Sequence, residues 1–267
     1  MDKYIAENRD YWDEITPIHV RSAFYDIAGF KAGTSTMRMP FEAEEMGNLD
    51  GKSLLHLQCH IGMDTLTWAR AGAKVTGADF SGEAIKTARL LSREIGIKAR
   101  FIESDIYALP DVLKEKYDIV YTGGGAICWL PDLPRWAGII AHFLKPKGFF
   151  YIMEGHPFMS VFDNSPEATE LKVKYSYFNA PEWIDEEPGY DYADSTYAIK
   201  SRQNEWMHPL SEIINSLIQA GLKIDFLHER PMIFFKALPF MVKGKDKYWH
   251  LKGDKLPQIF SLKATRT

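Results

Sequence analysis

The stretch from Leu54 to Asp105 constrains the fold more than any other, because three short apolar runs alternate in it with helix-length segments. The first run, Ser53 to Gln58, leads into Cys59-His60-Ile61-Gly62-Met63-Asp64 and a helical pattern that reaches Arg70. The second, Ala73 to Ala78, ends at Asp79, and the third, Ala99 to Ser104, ends at Asp105. Strands alternating with helices at this spacing indicate parallel β-α-β units. Ligands of such sheets bind at the carboxyl ends of the strands, where the loop after the first run and both aspartates must lie. Asp79 follows Gln58 by 21 residues, close to the separation that places a carboxylate on a ribose. A nucleoside-containing cofactor is the first expectation.

The remaining chain extends the same pattern and then breaks it. Tyr117 to Thr122 reads as a fourth buried strand running into Gly123-Gly124-Gly125. A helix from about Leu133 to Phe143, a turn at Leu144-Lys145-Pro146-Lys147-Gly148 and a fifth strand from Phe149 to Glu154 follow. Residues 155–206 then hold ten aromatics, and residues 154–194 carry ten acids against two lysines. Two alternating runs there, Leu171 to Phe178 and Ser195 to Arg202, suggest an inserted hairpin or lid. Pro209 to Ala220 has the apolar face of an amphipathic helix, with Gly221 as its cap. Leu222 to His228 and Gln258 to Ala264 read as the last two strands. Ahead of all this, residues 1–50 look like a helical cap rich in aromatics, which leaves 51–267 as the main domain.

A chain of 267 residues with 46% hydrophobic content can bury a full core as one elaborated α/β domain. A net charge of −4 argues against nucleic acid or an anionic membrane as partner. The eight basic groups against two acids in residues 236–267 are spread through turns, as on a solvated surface. The first residues, Met1 to Glu14, lack the apolar centre of a signal peptide, and no apolar run approaches a membrane span. A cytoplasmic protein is expected. Two cysteines, Cys59 and Cys128, are too few for a disulfide scaffold or a zinc ribbon, and no metal site is expected.

Taken in order, these segments resemble the class I methyltransferases that use S-adenosylmethionine, from about residue 50 onward. Their first motif, Val-Leu-Asp-Leu-Gly-Cys-Gly-x-Gly, corresponds to Leu54-Leu55-His56-Leu57-Gln58-Cys59-His60-Ile61-Gly62. Their second acid corresponds to Asp79 in Thr76-Gly77-Ala78-Asp79-Phe80-Ser81, and the third to Asp105 in Ser104-Asp105-Ile106-Tyr107-Ala108-Leu109-Pro110. Two motif glycines are replaced by Gln58 and His60 and the strand acid by His56, as in a bacterial branch with His-Leu-Gln-Cys in this loop.

The resemblance implies a Rossmann-like three-layer α/β sandwich, with a seven-stranded sheet of order 3-2-1-4-5-7-6 whose last strand is antiparallel. It implies a cofactor site of Gln58, His60, Gly62, Asp64, Asp79, Phe80, Ser81, Asp105, Ile106, Thr122 and Gly123. Asp79 would accept both ribose hydroxyls, with a helix N-cap as its plain alternative that Ser81 could fill instead. Asp105 and Ile106 would hold the adenine, with a plain turn aspartate as the alternative for Asp105. Gln58 and His60 would line the methionine end, and Asp64 could simply favour the helix dipole.

The implied reaction is transfer of a methyl group to a small-molecule oxygen, nitrogen or carbon acceptor. Where a proton must leave, His156 with Glu154, and His208, are the candidate bases. His19 and Tyr25 could also face the acceptor. Two rival functions are a non-catalytic binding or regulatory protein of this fold, and a nicotinamide-dependent oxidoreductase. The latter is disfavoured by the missing phosphate-approaching glycines.

Overall fold

The computed structural model describes residues 3–36, 38–178 and 189–267. Three helices precede the sheet: α1 (Lys3–Arg21), α2 (Ile27–Ala32) and α3 (Pro40–Met46). The sheet opens with β1 (Ser53–Leu57), α4 (Met63–Arg70), β2 (Lys74–Asp79), α5 (Gly82–Glu94) and β3 (Arg100–Glu103). The short α6 (Leu109–Val112), β4 (Tyr117–Thr122), α7 (Leu133–Phe143) and β5 (Leu144–Gly155) follow. After the long connection come α8 (Leu210–Gln219) and β6 (Leu222–Arg230), then the short strands β7 (Met232–Ile233), β8 (Val242–Lys243) and β9 (Trp249–His250), and finally β10 (Ile259–Arg266).

The main sheet has the order β3-β2-β1-β4-β5-β10-β6. Strands β1 to β5 are parallel, and β10 is antiparallel to both β5 and β6. This is the expected seven-stranded order with its antiparallel last strand. That strand is the tenth in the chain only because a second, three-stranded sheet, β7-β9-β8, intervenes. Its strands are two residues each, too short to show a period in the sequence. The lysines of this stretch, such as Lys243, Lys245, Lys247, Lys252 and Lys255, are exposed, while Leu238, Met241 and Leu251 between them are buried.

Central strands covered on both faces read as continuous apolar runs, and β4 does so, with Ile119, Val120 and Tyr121 buried. On one face, Trp136, Ile140 and Phe143 of α7 and Leu217 of α8 pack on Val120, Phe150, Phe260 and Leu262. The other face carries Leu54, Tyr121, Tyr151 and Ile259 beneath Met39, Trp68, Ile233 and Leu238. β5 starts five residues before the expected Phe149, because Leu144 already pairs with Tyr117 ahead of a bulge. Lys147 turns the chain at φ 64°, and a Cβ at Gly148 would sit 2.8 Å from the Asp118 carbonyl oxygen.

The two alternating runs within 155–206 are not bridged to each other among the described residues. Among the described residues, Val173 instead bridges Phe162, and Ala198 bridges Tyr190. The part of that expected lid at 179–188, including Trp183, lies outside the described residues. The second half of the segment is fastened to α1. Asn8 donates to the Asn204 carbonyl at 2.8 Å and accepts from the Asn204 N–H at 2.7 Å. Glu14 accepts from the Tyr197 hydroxyl and from the N–H groups of Lys200 and Ser201.

Candidate active site

The carboxyl ends of the parallel strands open into a crevice of about 1090 Å³. Its floor starts at the loop after β1. Gln58 and His60, which stand where the related motif has glycine, adopt φ of 57° and 48°. The loop thus keeps the left-handed backbone that glycine supplies freely, at a cost of roughly 1–2 kcal/mol per residue. Side-chain contacts offset this. Gln58 Nε2 donates to the Ala126 carbonyl at 2.9 Å, tying the loop to the segment after β4. The His60 ring packs against Trp12, His19 and Tyr25 at centroid distances of 5.0, 5.2 and 5.3 Å. Burial, with His19 beside it, pushes the His60 pKa well down.

Gly62 has φ 77°, and a Cβ there would lie 2.8 Å from the Phe101 ring and 2.9 Å from Ala88. This glycine permits α4 to sit against the sheet, as the third glycine of nucleotide-binding loops does. His56, in place of the strand acid, is buried with Nδ1 2.8 Å from the Thr65 hydroxyl. Burial drops its pKa to about 3, so it is neutral.

Asp79 ends β2. Its Oδ2 accepts the His60 N–H at 2.8 Å and its Oδ1 the Ser81 N–H at 2.9 Å, which leaves each oxygen a lone pair. Burial pushes its pKa up to about 6, against those N–H groups. The N-cap of α5 is Ser81, whose oxygen accepts from the Ala84 N–H while its hydroxyl donates to Asp13 of α1 at 2.6 Å. Asp105 uses Oδ1 to accept the Tyr107 N–H at 2.9 Å, which makes it a turn residue with a second oxygen to spare. Asp64 lies in the first turn of α4 with its pKa also raised by burial to about 6, and its Oδ1 is buried with no partner.

The crevice brings together Gln58, His60, Asp64, Asp79, Phe80, Asp105, Ile106, Gly123, Tyr25, Glu154, His156 and His208. Gly62, Ser81, Thr122 and His19 are buried and do not line it. His19 is fully buried, with Nε2 2.9 Å from Asp191 and Nδ1 3.4 Å from His60. It braces the loop rather than facing an acceptor.

The three candidate bases are engaged. Glu154 accepts N–H groups from Gly125, Ala126, Ile127 and Gly155 at 2.6, 2.8, 3.1 and 2.7 Å. All its lone-pair sites are filled, and these bonds clamp the loop after β4. His156 accepts the Phe158 N–H at Nδ1 and meets Glu229 through Nε2 at 2.8 Å. His208 donates Nε2–H to the Leu130 carbonyl at 2.7 Å, and its Nδ1 lies 3.1 Å from Glu212. Both histidines fasten connections at the crevice edge.

Sequence reasoning missed the wall opposite the floor. Phe234, Phe235 and Leu238, from the small-sheet insertion, line the crevice with Trp12 and Trp129. The apolar run Met232-Ile233-Phe234-Phe235 was the available signal. Among the described residues no group of His, Cys, Asp and Glu could hold a metal ion, and no helix is long and apolar enough to cross a membrane.

Residues 54–148 match the family described as a methyltransferase domain. The chain is 27% identical over 171 residues to a ubiquinone biosynthesis O-methyltransferase of Serratia proteamaculans, covering 63% of this chain and 68% of that protein. It is 30% identical over 147 residues to the protein of the same description from Klebsiella pneumoniae subsp. pneumoniae, covering 54% of this chain and 60% of the relative. The likeness in fold extends further. An S-adenosylmethionine-dependent methyltransferase from Mesorhizobium loti superposes with a TM-score of 0.58 at 18% identity, over 84% of this chain and 94% of its own. The sheet order is that of the Rossmann-like methyltransferase fold. Residues 54–148 thus match a methyltransferase domain, and the sheet has the fold of the S-adenosylmethionine-dependent methyltransferase from Mesorhizobium loti.

Proposed function

We propose that this protein transfers a methyl group from S-adenosylmethionine to a small-molecule acceptor. One observation carries the residue assignment: Asp64, Asp79 and Asp105 border one crevice, each with hydrogen-bonding capacity that the protein does not use. The orphaned, buried Oδ1 of Asp64 fits a cationic partner, and the amino group of the cofactor's methionine end is one. Asp79 would hold the ribose through its remaining lone pairs. Asp105 and Ile106 would take the adenine, with Phe80 beside them. Gln58, His60 and Gly123 would line the methionine end, and Gly62, Ser81 and Thr122 would support it from behind.

The cofactor supplies a methyl group already activated on a sulfonium, so the protein's task is alignment and exclusion of water. Glu154 performs part of it by holding the chain after β4 rigid against β5. The engaged nitrogens of His156 and His208 favour positioning over proton transfer for both. The relatives are O-methyltransferases by description, which favours an oxygen acceptor. We also propose that residues 1–50 act as a cap and 155–206 as the segment that selects the acceptor. The aromatic side chains of 155–206 at the crevice support the second assignment.

Two titrations test this. Calorimetry is expected to give binding of S-adenosylmethionine and none of NAD, and an acceptor screen is expected to give S-adenosylhomocysteine as product. Preferential NAD binding would refute the cofactor assignment; cofactor binding with no turnover on any acceptor would leave a binding protein.

A further inference from the structure

We infer that the acceptor is an aromatic hydroxyl or amine compound that carries no carboxylate or phosphate. This deepens the function proposed above and rests on it. The chain has 32 lysines and arginines, yet none lines the crevice among the described residues. Residues 179–188, Asn-Ala-Pro-Glu-Trp-Ile-Asp-Glu-Glu-Pro, contain no lysine or arginine that could reach it. Among the described residues five carboxyl side chains do line it: Asp64, Asp79, Asp105, Glu154 and Glu205. Arg38 acts on Asp64 from outside this wall, stacked 4.9 Å over Trp68.

Backbone donors could replace a missing cation, because successive N–H groups at a loop make an anion-binding concavity. Here the protein fills those donors itself. The N–H groups of Gly125, Ala126 and Ile127 point at Glu154, and those of His60 and Ser81 at Asp79. An anionic acceptor would give up its water for a site without a free cation, beside carboxylates that oppose its charge. The cofactor itself does not meet this objection, since its sulfonium and ammonium outweigh its one carboxylate.

The wall selects in the positive sense. Trp129, Phe162, Tyr175, Trp206, Phe234 and Phe235 line the acceptor side. At the rim, Phe178, Tyr190 and Tyr192 remain 73%, 69% and 55% exposed. Aromatic faces in such numbers take a flat ring by stacking, or a cation by its attraction to the π face.

The test uses a matched series: catechol, dopamine and 3,4-dihydroxybenzoate, which share the reacting hydroxyls and differ in charge. Each is titrated calorimetrically into the whole protein loaded with S-adenosylhomocysteine, and each is assayed for methylation. Catechol and dopamine are expected to bind at least tenfold tighter than 3,4-dihydroxybenzoate, and the variant Phe234→Lys to reduce that preference at least tenfold while still binding the cofactor. Equal or tighter binding of the carboxylate by the unaltered protein overturns the inference, as does failure of all three to bind. A separate titration with S-adenosylmethionine alone keeps the two claims apart. If it binds and the charge preference is reversed, only the acceptor class falls; if it does not bind, the function falls and takes this inference with it.

Discussion

The two halves of the crevice are built by different means. At the ends of β1, β2 and β3 the geometry is set by the backbone: a left-handed loop, a glycine under α4, and Asp79 holding two N–H groups. Over the ends of β4 and β5 the wall consists of side chains brought from 155–206 and from the β7–β9 insertion. A half built on backbone hydrogen bonds tolerates few changes and serves one constant ligand. A half built on inserted side chains can be exchanged without touching the sheet, which is how one fold hosts many acceptors. Substitutions on the floor should therefore damage folding or cofactor affinity, and those on the wall acceptor use alone.

The largest effect is expected from Gly62→Ala. Its φ of 77° and the 2.8 Å approach to Phe101 combine conformational strain with overpacking, together roughly 2–5 kcal/mol of stability. Denaturant unfolding measures it. A change below about 1 kcal/mol would show that the floor yields more easily than its backbone contacts imply.

Next comes Asp79→Ala, expected to weaken S-adenosylmethionine binding by about 1.5–3 kcal/mol, the scale of hydrogen bonds to a charged group. It also frees the N–H groups of His60 and Ser81, so calorimetry should be run beside a thermal melt. Unchanged affinity in a folded Asp79→Ala protein would remove the ribose assignment. On the other side of the comparison, Tyr175→Ala should reduce acceptor use more than cofactor affinity, and equal losses would make the wall part of the cofactor site.

The buried acids beneath and around the floor also set a pH dependence. Burial raises Asp64 and Asp79 to about 6 and Glu42 to about 8, so the folded protein holds these protons more tightly than the unfolded chain. The stability they contribute is complete below their unfolded values, near 4, and is lost as pH rises through 6 and then 8. Asp118, lowered to about 2 by Ser53 and Lys145, acts in the opposite sense and only below that range. Buried His56 and His60, held below their ordinary values, act in the opposite sense over the same range, so the prediction is a difference: Asp64→Asn should make the stability of the protein without cofactor fall less, or rise more, between pH 4 and 6. Cofactor affinity should rise over pH 5 to 7 as Asp64 ionises to meet a cationic amino group. An affinity independent of pH in that range would take Asp64 out of the site.

Legibility in the sequence follows the same division. The alternation from Leu54 to Asp105 exposed the parallel sheet because strand and helix periods survive in local sequence. The place of Asp79 and Asp105 followed from the strand ends. The clamp role of Glu154 was not legible, since its four N–H partners depend on how the loop after β4 folds back on β5. His19 read as a residue that could face the acceptor because nothing local announces a partner at Asp191, 172 residues away. The β7–β9 insertion escaped for a different reason: two-residue strands leave no period.

The smallest effect, and the sharpest probe of the floor, is Gln58→Gly. Restoring glycine removes the strain of a side chain at φ 57°, a gain of roughly 1–2 kcal/mol. It also removes the Nε2 bond to the Ala126 carbonyl, worth about 0.5–1.5 kcal/mol, and gives the unfolded chain more freedom to lose. These contributions nearly cancel, so stability should stay within about 1 kcal/mol of the parent. The link between the loop after β1 and the segment after β4 would nevertheless be cut. Hydrogen exchange should then quicken at Gly125 to Ile127, while the amides of β1 and β2 stay protected. A clear gain in stability with unchanged exchange would mean that Gln58 contributes only strain. A loss well beyond 1 kcal/mol would mean that its side chain, and not the backbone alone, holds the floor together.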